Sequence, residues 1–482
     1  MSDLKQGALQ RLFFEHFGLW PSGIEMLPAS GSDRKYYRLR NGDVSCLGAI
    51  NSDKKENEAF VSFTKALLGV GFPVPEVYAY HESEGIWLLQ DLGDQTLFSA
   101  LAKGREASDI SDEVKGYYYK VVNLLPALQI KGAEVIPFDK CYPRAAFDER
   151  SMRWDLNYFK YYFLRLAHIP FDEQRLEDDF EVLVKKLCSV NSSWFMFRDF
   201  QSRNIMIKDK DVWFIDYQGG RRGALHYDLA SLLYDGKADL PESFRQDLLE
   251  RYLDAAAAYI SIDRVAFKQE FYGFVLIRIL QAMGAYGFRG FYEQKSLFLQ
   301  SIPYALKNLS YLLDNDLLPK GMSELQAVLK RLISTTSLYE YGKKTESLRV
   351  VVKSFSYKRG IPTDTSGNGG GFVFDCRGLP NPGRLDGLKE FTGLDRVVSE
   401  YLERFDEVEE FKQSALGLVE LTVQNYLSRG FSNLMVSFGC TGGQHRSVYM
   451  AESLVKHLNE KFDIDIDLEH RECDNWPQNK TH

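Results

Sequence analysis

The rhythm of apolar and polar positions changes several times along this chain. Leu9 to Leu19 repeats at helical spacing and predicts a short amphipathic helix. Leu27 to Leu39 reads as a strand, a small-residue turn (Ala29-Ser30-Gly31-Ser32) and a returning strand. Val44 to Ile50 is the next strand, and Glu58 to Phe63 opens a helix. Gly71 to Val77 is a rigid, proline-containing connection into a strand. Ile86 to Gln90 is a further strand that runs into the short link Asp91-Leu92-Gly93-Asp94. From Thr96 to about Ile333 the period is mostly helical, broken by a hairpin whose arms are Ile205-Met206-Ile207 and Trp213-Phe214-Ile215.

Ser334 to Glu346 is polar and marks a boundary. A period-2 pattern starts at Leu348 to Tyr357, followed by a Gly/Thr/Asn/Ser loop at Thr363 to Gly371 and a strand from Phe372. A helix over Glu407 to Leu427, a strand over Leu434 to Phe438, a glycine-rich loop and a helix over Val448 to Asn459 complete the chain. The pattern predicts an α+β bilobal unit, with lobes at 1–95 and 96–340. A smaller α/β domain at 347–482 follows, built on a strand–loop–helix that suits phosphate.

Composition narrows the setting. With 482 residues, 45% hydrophobic and 26% charged, the chain is an ordinary multi-domain globular protein. A net charge of −8 argues against a dominant non-specific grip on nucleic acid, which runs on Lys and Arg neutralising phosphates. The six cysteines form no C-x-x-C pair, which fits reduced thiols and a cytoplasmic location. Met1 to Leu19 is charged and amphipathic, and no run of 18 residues is uninterruptedly apolar, so no membrane association is expected.

Phe197 to Tyr217 carries the chemistry. Asp199, Asn204 five positions on, the hairpin, and Asp216 ending its return strand form the catalytic-loop and metal-strand pattern of kinase-like phosphotransferases. One carboxylate has to sit beside the attacking hydroxyl, while an amide oxygen and a second carboxylate hold Mg²⁺ against the phosphates of ATP. This predicts a protein-kinase-like fold for the first unit, with Ser30, Gly31 and Ser32 covering the nucleotide phosphates. Gln90, Asp91 and Leu92 would lie along its adenine. The strand Val44–Ile50 lacks the lysine that usually grips the α- and β-phosphates, and Arg34 or Lys35 could stand in for it. Glu58 is the candidate partner of such a cation, and Asp228 is expected to cap its helix. Gly284, Gly287 and Gly290, beside arginines, suggest a helix end that opens on a polar ligand.

Residues 10–330 resemble the aminoglycoside phosphotransferase family, most closely its branch of kinases acting on the anomeric hydroxyl of N-acetylmuramate and N-acetylglucosamine in cell-wall recycling. The matching pieces are Ala29 to Ser32 with Tyr36-Tyr37-Arg38, Val74 to Val77, Leu89 to Asp94, Phe197 to Asn204, Ile215 to Gln218 and Tyr227-Asp228-Leu229. The resemblance implies Asp199 as catalytic base and Asn204 and Asp216 as Mg²⁺ ligands. It implies Trp154, Asp155, Arg198 and Arg278 around an amino-sugar substrate. Arg198 stands where the wider family often has Gly.

In the second unit Cys440 to Arg446, followed by Ser447, has the C-x5-R spacing of an oxyanion pocket shared with cysteine-dependent phosphatases. Residues 347–482 resemble the C-terminal domain of the RapZ family of RNase adapter proteins, through Phe374 to Pro382, Leu385 to Leu394, Gly439 to Ser447 and His470-Arg471. That resemblance implies a sensor of glucosamine-6-phosphate with a pocket of Asp375, Arg377, Cys440, Thr441, Gly442, Gly443, His445, Arg446 and Ser447. It also implies RNA as a partner, although this unit carries 16 Lys and Arg against 20 Asp and Glu. The expectation is an ATP- and Mg²⁺-dependent amino-sugar kinase fused to a domain binding a phosphorylated amino sugar, with a homo-oligomer left open. Its rivals are a non-catalytic nucleotide-binding regulator contacting RNA or protein, and a phosphatase in the C-terminal half.

Overall fold

The computed structural model describes all residues except 1, 28–33, 107–108, 294, 342–347, 365, 367–369, 430, 463 and 478–482. Two compact units make up the chain: Met1–Phe288 with Ser301–Leu338, and Arg289–Gln300 with Tyr339–His482. The segment Arg289–Gln300, expected in the helical lobe, thus groups with the second unit.

The first unit opens with a helix, Ser2–Phe17, on a five-stranded antiparallel sheet. Its strands are β1 (Gly23–Met26), β2 (Lys35–Asn41), β3 (Val44–Ile50), β4 (Val77–His81) and β5 (Ile86–Gln90), in the order β1-β2-β3-β5-β4. The helix Leu9, Leu12 and Phe13 pack on Leu39, Cys46, Ile50 and Leu88 of the sheet, which is the apolar half of each strand's alternation. The helix Lys54–Gly69 is started by Asp53, whose carboxylate accepts the N–H groups of Lys55 and Glu56 at 3.1 Å each. That cap fixes Glu56 in the first turn.

The rest of this unit is helical apart from three two-stranded pairs: Arg105–Glu106 with Asp109–Ile110, Trp194–Met196 with Arg221–Gly223, and the predicted hairpin. The hairpin joins Ile205–Lys208 to Asp211–Phe214. Asp209 and Lys210 turn it with φ of 52° and 64°, the left-handed pair that a tight two-residue turn requires. Helix Arg264–Tyr286, continued by a wider turn to Tyr292, is long and apolar enough by composition to cross a membrane. However, 72% of that apolar stretch is buried inside the protein, as for a core helix. Gly284 and Gly287 do not open on a ligand as expected. A Cβ on Gly287 would meet the Tyr162 carbonyl oxygen at 2.0 Å, and one on Gly284 would meet the Phe159 nitrogen at 2.9 Å, so both let two backbones approach.

The second unit is a four-stranded, wholly parallel sheet in the order Gly371–Asp375, Asn433–Cys440, Arg349–Ser356, Asp465–His470. The two central strands are buried along most of their length, while the outer two are exposed or only partly buried, as position in the sheet dictates. Helices Asp406–Arg429 and Arg446–Lys461 fall within two residues of the expected bounds. The bilobal kinase-like unit and the smaller α/β unit are those read from the sequence.

Candidate functional site

The loop bearing Asp199 is nailed down by aromatic rings on both sides. Phe197 and Phe200 are buried, their centroids 5.2 Å apart, and Phe200 lies 5.4 Å from Phe214 of the hairpin. Between them Asp199 stays partly exposed. Asp228 does not cap its helix. It sits inside Leu225–Leu233, fully buried, and accepts the backbone N–H groups of Phe197 (2.8 Å) and Arg198 (3.0 Å), so it holds the loop from beneath. Burial pushes its carboxyl up to about 7, against the pull of those N–H donors.

Asn204 donates its Nδ2 to the Asp199 carbonyl at 2.9 Å and to Asp216 Oδ2 at 3.3 Å, which brings the three predicted residues together. Asp216 has φ +69°, and Gln218 Nε2 holds its other oxygen at 2.8 Å. Burial raises the Asp216 carboxyl above the usual range, more than Gln218 lowers it. An amide oxygen and a desolvated carboxylate are hard oxygen donors of the kind Mg²⁺ takes, and the bound cation would relieve that burial. No group of three His, Cys, Asp or Glu side chains gathers at metal range among the described residues. A divalent cation held there would take its remaining ligands from phosphate oxygens and water.

Beside Asp199 lies a buried polar cluster. Arg198 adopts φ +83°, a conformation native to glycine. Its guanidinium pairs with Asp155 at 2.7 Å and lies over the rings of Phe147 (4.9 Å) and Tyr227 (5.2 Å). Among the described residues Asp155 Oδ2, Arg198 Nη1 and the Tyr227 hydroxyl are buried without a partner. Arg221 joins this group, its charge depressed first by burial and then by Arg198. Trp154 is half exposed with Arg144 5.6 Å over its ring. Arg278 is buried and tied to the Ser231 hydroxyl (2.9 Å) and Gln281 (2.6 Å), within electrostatic reach of Tyr227.

On the nucleotide side, Ser30, Gly31 and Ser32 lie outside the described residues. Arg34 is buried, and its Nη2 pairs with Glu56 at 2.6 Å. Glu58, expected to partner a cation here, instead pairs with Lys140 at 2.5 Å. Glu56 also accepts from Asn51 (2.8 Å) and Gln218 (3.3 Å), so one chain of contacts links Arg34 to Asp216. Gln90 ends β5 and Leu92 is buried in the link between the lobes. The Asp91 side chain is not available there. It is gripped by Arg38 at 2.8 and 3.1 Å and by the Ser45 hydroxyl at 2.6 Å, while Lys208 takes its backbone carbonyl at 3.0 Å. Its role is to clamp the link to the sheet.

In the second unit the strand Asn433–Cys440 delivers Cys440 to the floor of a cavity of about 310 Å³ lined by Asn381, Lys389, Thr441, Gly442, Gln444, His445 and Arg446 among others. Cys440 Sγ meets the Ser447 hydroxyl at 3.2 Å and accepts the Gly443 N–H at 3.1 Å. Burial alone would raise this thiol, but the hydroxyl and backbone N–H groups of Ser447, Gly443 and Gly442 hold it below its usual value. Gly443 has φ +66°, and a Cβ there would strike Glu472 at 2.4 Å. Arg446 Nη1 donates to the carbonyls of Arg377 (2.8 Å) and Leu379 (2.9 Å), and its buried Nε has no partner among the described residues. His445 Nε2 lies 3.1 Å from the Leu388 carbonyl oxygen, and burial lowers its charge. Asp375 and Arg377 do not line the cavity. They close on each other at 2.6 Å, with Arg377 stacked 3.9 Å over Tyr357.

A family model described as the phosphotransferase enzyme family matches residues 27–263, and one described as the RapZ C-terminal domain matches residues 348–474. The chain is 34% identical over 173 residues to a nucleotide-binding protein of Agathobacter rectalis, covering 36% of this chain and 55% of that one. It is 39% identical over 160 residues to a nucleotide-binding protein of Bacillus cytotoxicus, covering 33% and 49%. The chain thus spans about half the length of these curated relatives. Among solved structures it is similar to choline kinase LicA from Streptococcus pneumoniae, with a TM-score of 0.42 at 13% identity, over 63% of this chain and 99% of that one. A spectinomycin phosphotransferase in complex with ADP and spectinomycin gives 0.41 at 12%, over 68% and 98%. The chain joins a domain of the phosphotransferase enzyme family, residues 27–263, to a RapZ C-terminal domain, residues 348–474.

Proposed function

We propose that the first unit is an ATP- and Mg²⁺-dependent kinase of an amino sugar of the N-acetylmuramate or N-acetylglucosamine type, acting on its anomeric hydroxyl in the cytoplasm. The observation that carries this reading is the meeting of Asp199, Asn204 and Asp216 beside the unpaired polar atoms of Asp155, Arg198 and Tyr227. Those three atoms want hydrogen-bond partners, and a polyhydroxylated ligand supplies both donors and acceptors. Asp199 takes the proton of the attacking sugar hydroxyl, and Asp228 keeps its loop at a fixed height. Asn204 and Asp216 would hold Mg²⁺, which when bound neutralises charge on the phosphate oxygens.

In the second unit we assign the Cys440–Ser447 cradle to the phosphate of an amino-sugar phosphate, through loop N–H groups, the helix N-terminus at Arg446 and the unpartnered Arg446 Nε. The decisive experiment is an ADP-release screen over N-acetylmuramate, N-acetylglucosamine and other hexosamines, with the product read by ³¹P NMR and Asp199→Ala as control. No sugar-dependent ADP release, or release untouched in Asp199→Ala, refutes the kinase. A second reading, a nucleotide-binding regulator contacting RNA or protein, is favoured by the naming of the relatives as nucleotide-binding proteins. It predicts ATP binding without sugar-dependent turnover.

A further inference from the structure

We infer that Arg34 supplies the cation that grips the nucleotide's phosphate chain, standing in from the position just before strand β2 for the lysine that β3 lacks. This rests on the reading of the first unit as nucleotide-binding.

Strand β3, Val44-Ser45-Cys46-Leu47-Gly48-Ala49-Ile50, carries no cationic side chain. The neighbouring strand does the job from its first approach. Lys35 pairs with Ile50 across the ladder, so Arg34 lies one position beyond the end of β3, at the mouth of the helix Lys54–Gly69. Of the two cations the sequence offers there, Lys35 is exposed and Arg34 is buried.

Two polar partners and two aromatic rings orient the Arg34 guanidinium. Its Nη2 meets Glu56 at 2.6 Å, its Nη1 donates to the Tyr36 hydroxyl at 2.9 Å, and its carbon lies 5.8 Å from the Trp87 ring centroid and 5.9 Å from that of Phe60. Its Nε, buried, has no partner among the described residues. An unpaired donor on a buried cation is unfavourable, and an anionic oxygen relieves it. The position matches the role. Asp216, which we assign to the metal, acts on Arg34 electrostatically, and Glu56 and Gln218 connect the two through hydrogen bonds. A phosphate chain bound beside Asp216 would therefore lie within the same polar network as the Arg34 guanidinium. A guanidinium also offers several fixed donors where an ammonium offers a point charge, so it can hold Glu56 and still face a phosphate.

The test is direct binding, not turnover. Affinities of ATP, ADP and adenosine are measured by calorimetry for wild type, Arg34→Ala, Arg34→Lys and Glu56→Gln, each checked for folding by circular dichroism. Arg34→Ala is expected to weaken ATP and ADP by about ten- to hundredfold, the range of a charge-assisted hydrogen bond, and to leave adenosine within about twofold. Arg34→Lys recovers part of the loss. Should Arg34→Ala not fold, Glu56→Gln, which keeps the cation and frees its partner, is expected to change ATP affinity while sparing adenosine. Equal losses for ATP and adenosine, or none for ATP, overturn the assignment and leave nucleotide binding standing. A wild type that binds neither ATP nor ADP overturns both.

Discussion

Arg198 offers the sharpest test of how this site is held. At φ +83° an L-residue pays a steric penalty of about 1–2 kcal/mol that glycine avoids. The side chain nevertheless forms an ion pair with Asp155 that is nearly out of solvent, at 13% and 10% side-chain exposure, and lies over two aromatic rings. Removing one partner of such a pair strands the other charge, which costs about 3–5 kcal/mol. The two effects oppose each other, and the magnitudes say which wins. Arg198→Gly should destabilise the first unit by about 2–4 kcal/mol despite the relieved backbone, since the lost pair outweighs the strain.

Arg198→Ala keeps the strain and loses the pair, so it should lie about 1 kcal/mol below Arg198→Gly. Asp155→Asn combined with Arg198→Gly should be less damaging than the sum of the single changes by about 2–3 kcal/mol, because no buried charge is then left unpaired. Urea unfolding of the four variants, followed by circular dichroism and tryptophan fluorescence, reads these differences. If alanine is as stable as glycine at 198, the left-handed backbone is not under strain. If the double change is additive, the pair with Asp155 does not exist in solution.

Other outcomes follow from the same geometry. Asp199→Asn should lower turnover by about 10²- to 10⁴-fold, the range for losing a general base, while ATP affinity from calorimetry stays within a few-fold. Asp228, raised to about 7 in the folded state, binds its proton more tightly there than in the unfolded chain. Its contribution is therefore full below about pH 4 and is lost as pH rises through 7. Stability measured by urea midpoints from pH 4 to 8 should show this fall, and Asp228→Asn should flatten it. Cys440, held below the usual thiol value, should react with iodoacetamide at neutral pH faster than Cys376, which burial pushes well up. Glucosamine-6-phosphate should slow that reaction, and peptide mass spectrometry identifies the labelled thiol.

Residues set by local chemistry were legible in the chain, whereas those set by distance were not. The Asp199–Asn204–Asp216 trio could be read because a five-residue loop and a two-residue turn leave the backbone few choices. Asp228 was misread as a helix cap because its two N–H partners come from 30 and 31 positions earlier in the chain, and no local pattern announces that. Glu58 was expected to partner a cation, yet Glu56, two positions earlier on the same helix, is the one that does so beside Arg34. Two positions on a helix do not share a face, so only the one fixed by the Asp53 cap meets Arg34, and the other turns to Lys140. The same reasoning separates Asp155 from Trp154.

Asp91, expected to lie along the adenine, also holds the frame through its side chain. Its carboxyl is pushed up by burial, yet Ser45 and Arg38 hold it below the usual range. Its carboxylate is fully engaged, whereas Asp155, Arg198, Tyr227, Arg34 and Arg446 each keep a buried polar atom without a partner among the described residues. Folding normally pairs such atoms, because leaving one buried and unmatched costs about 1–3 kcal/mol. Those five lie beside Asp199, Asp216 and Cys440, the three places to which we assign ligands, whereas Asp91 already has its partners.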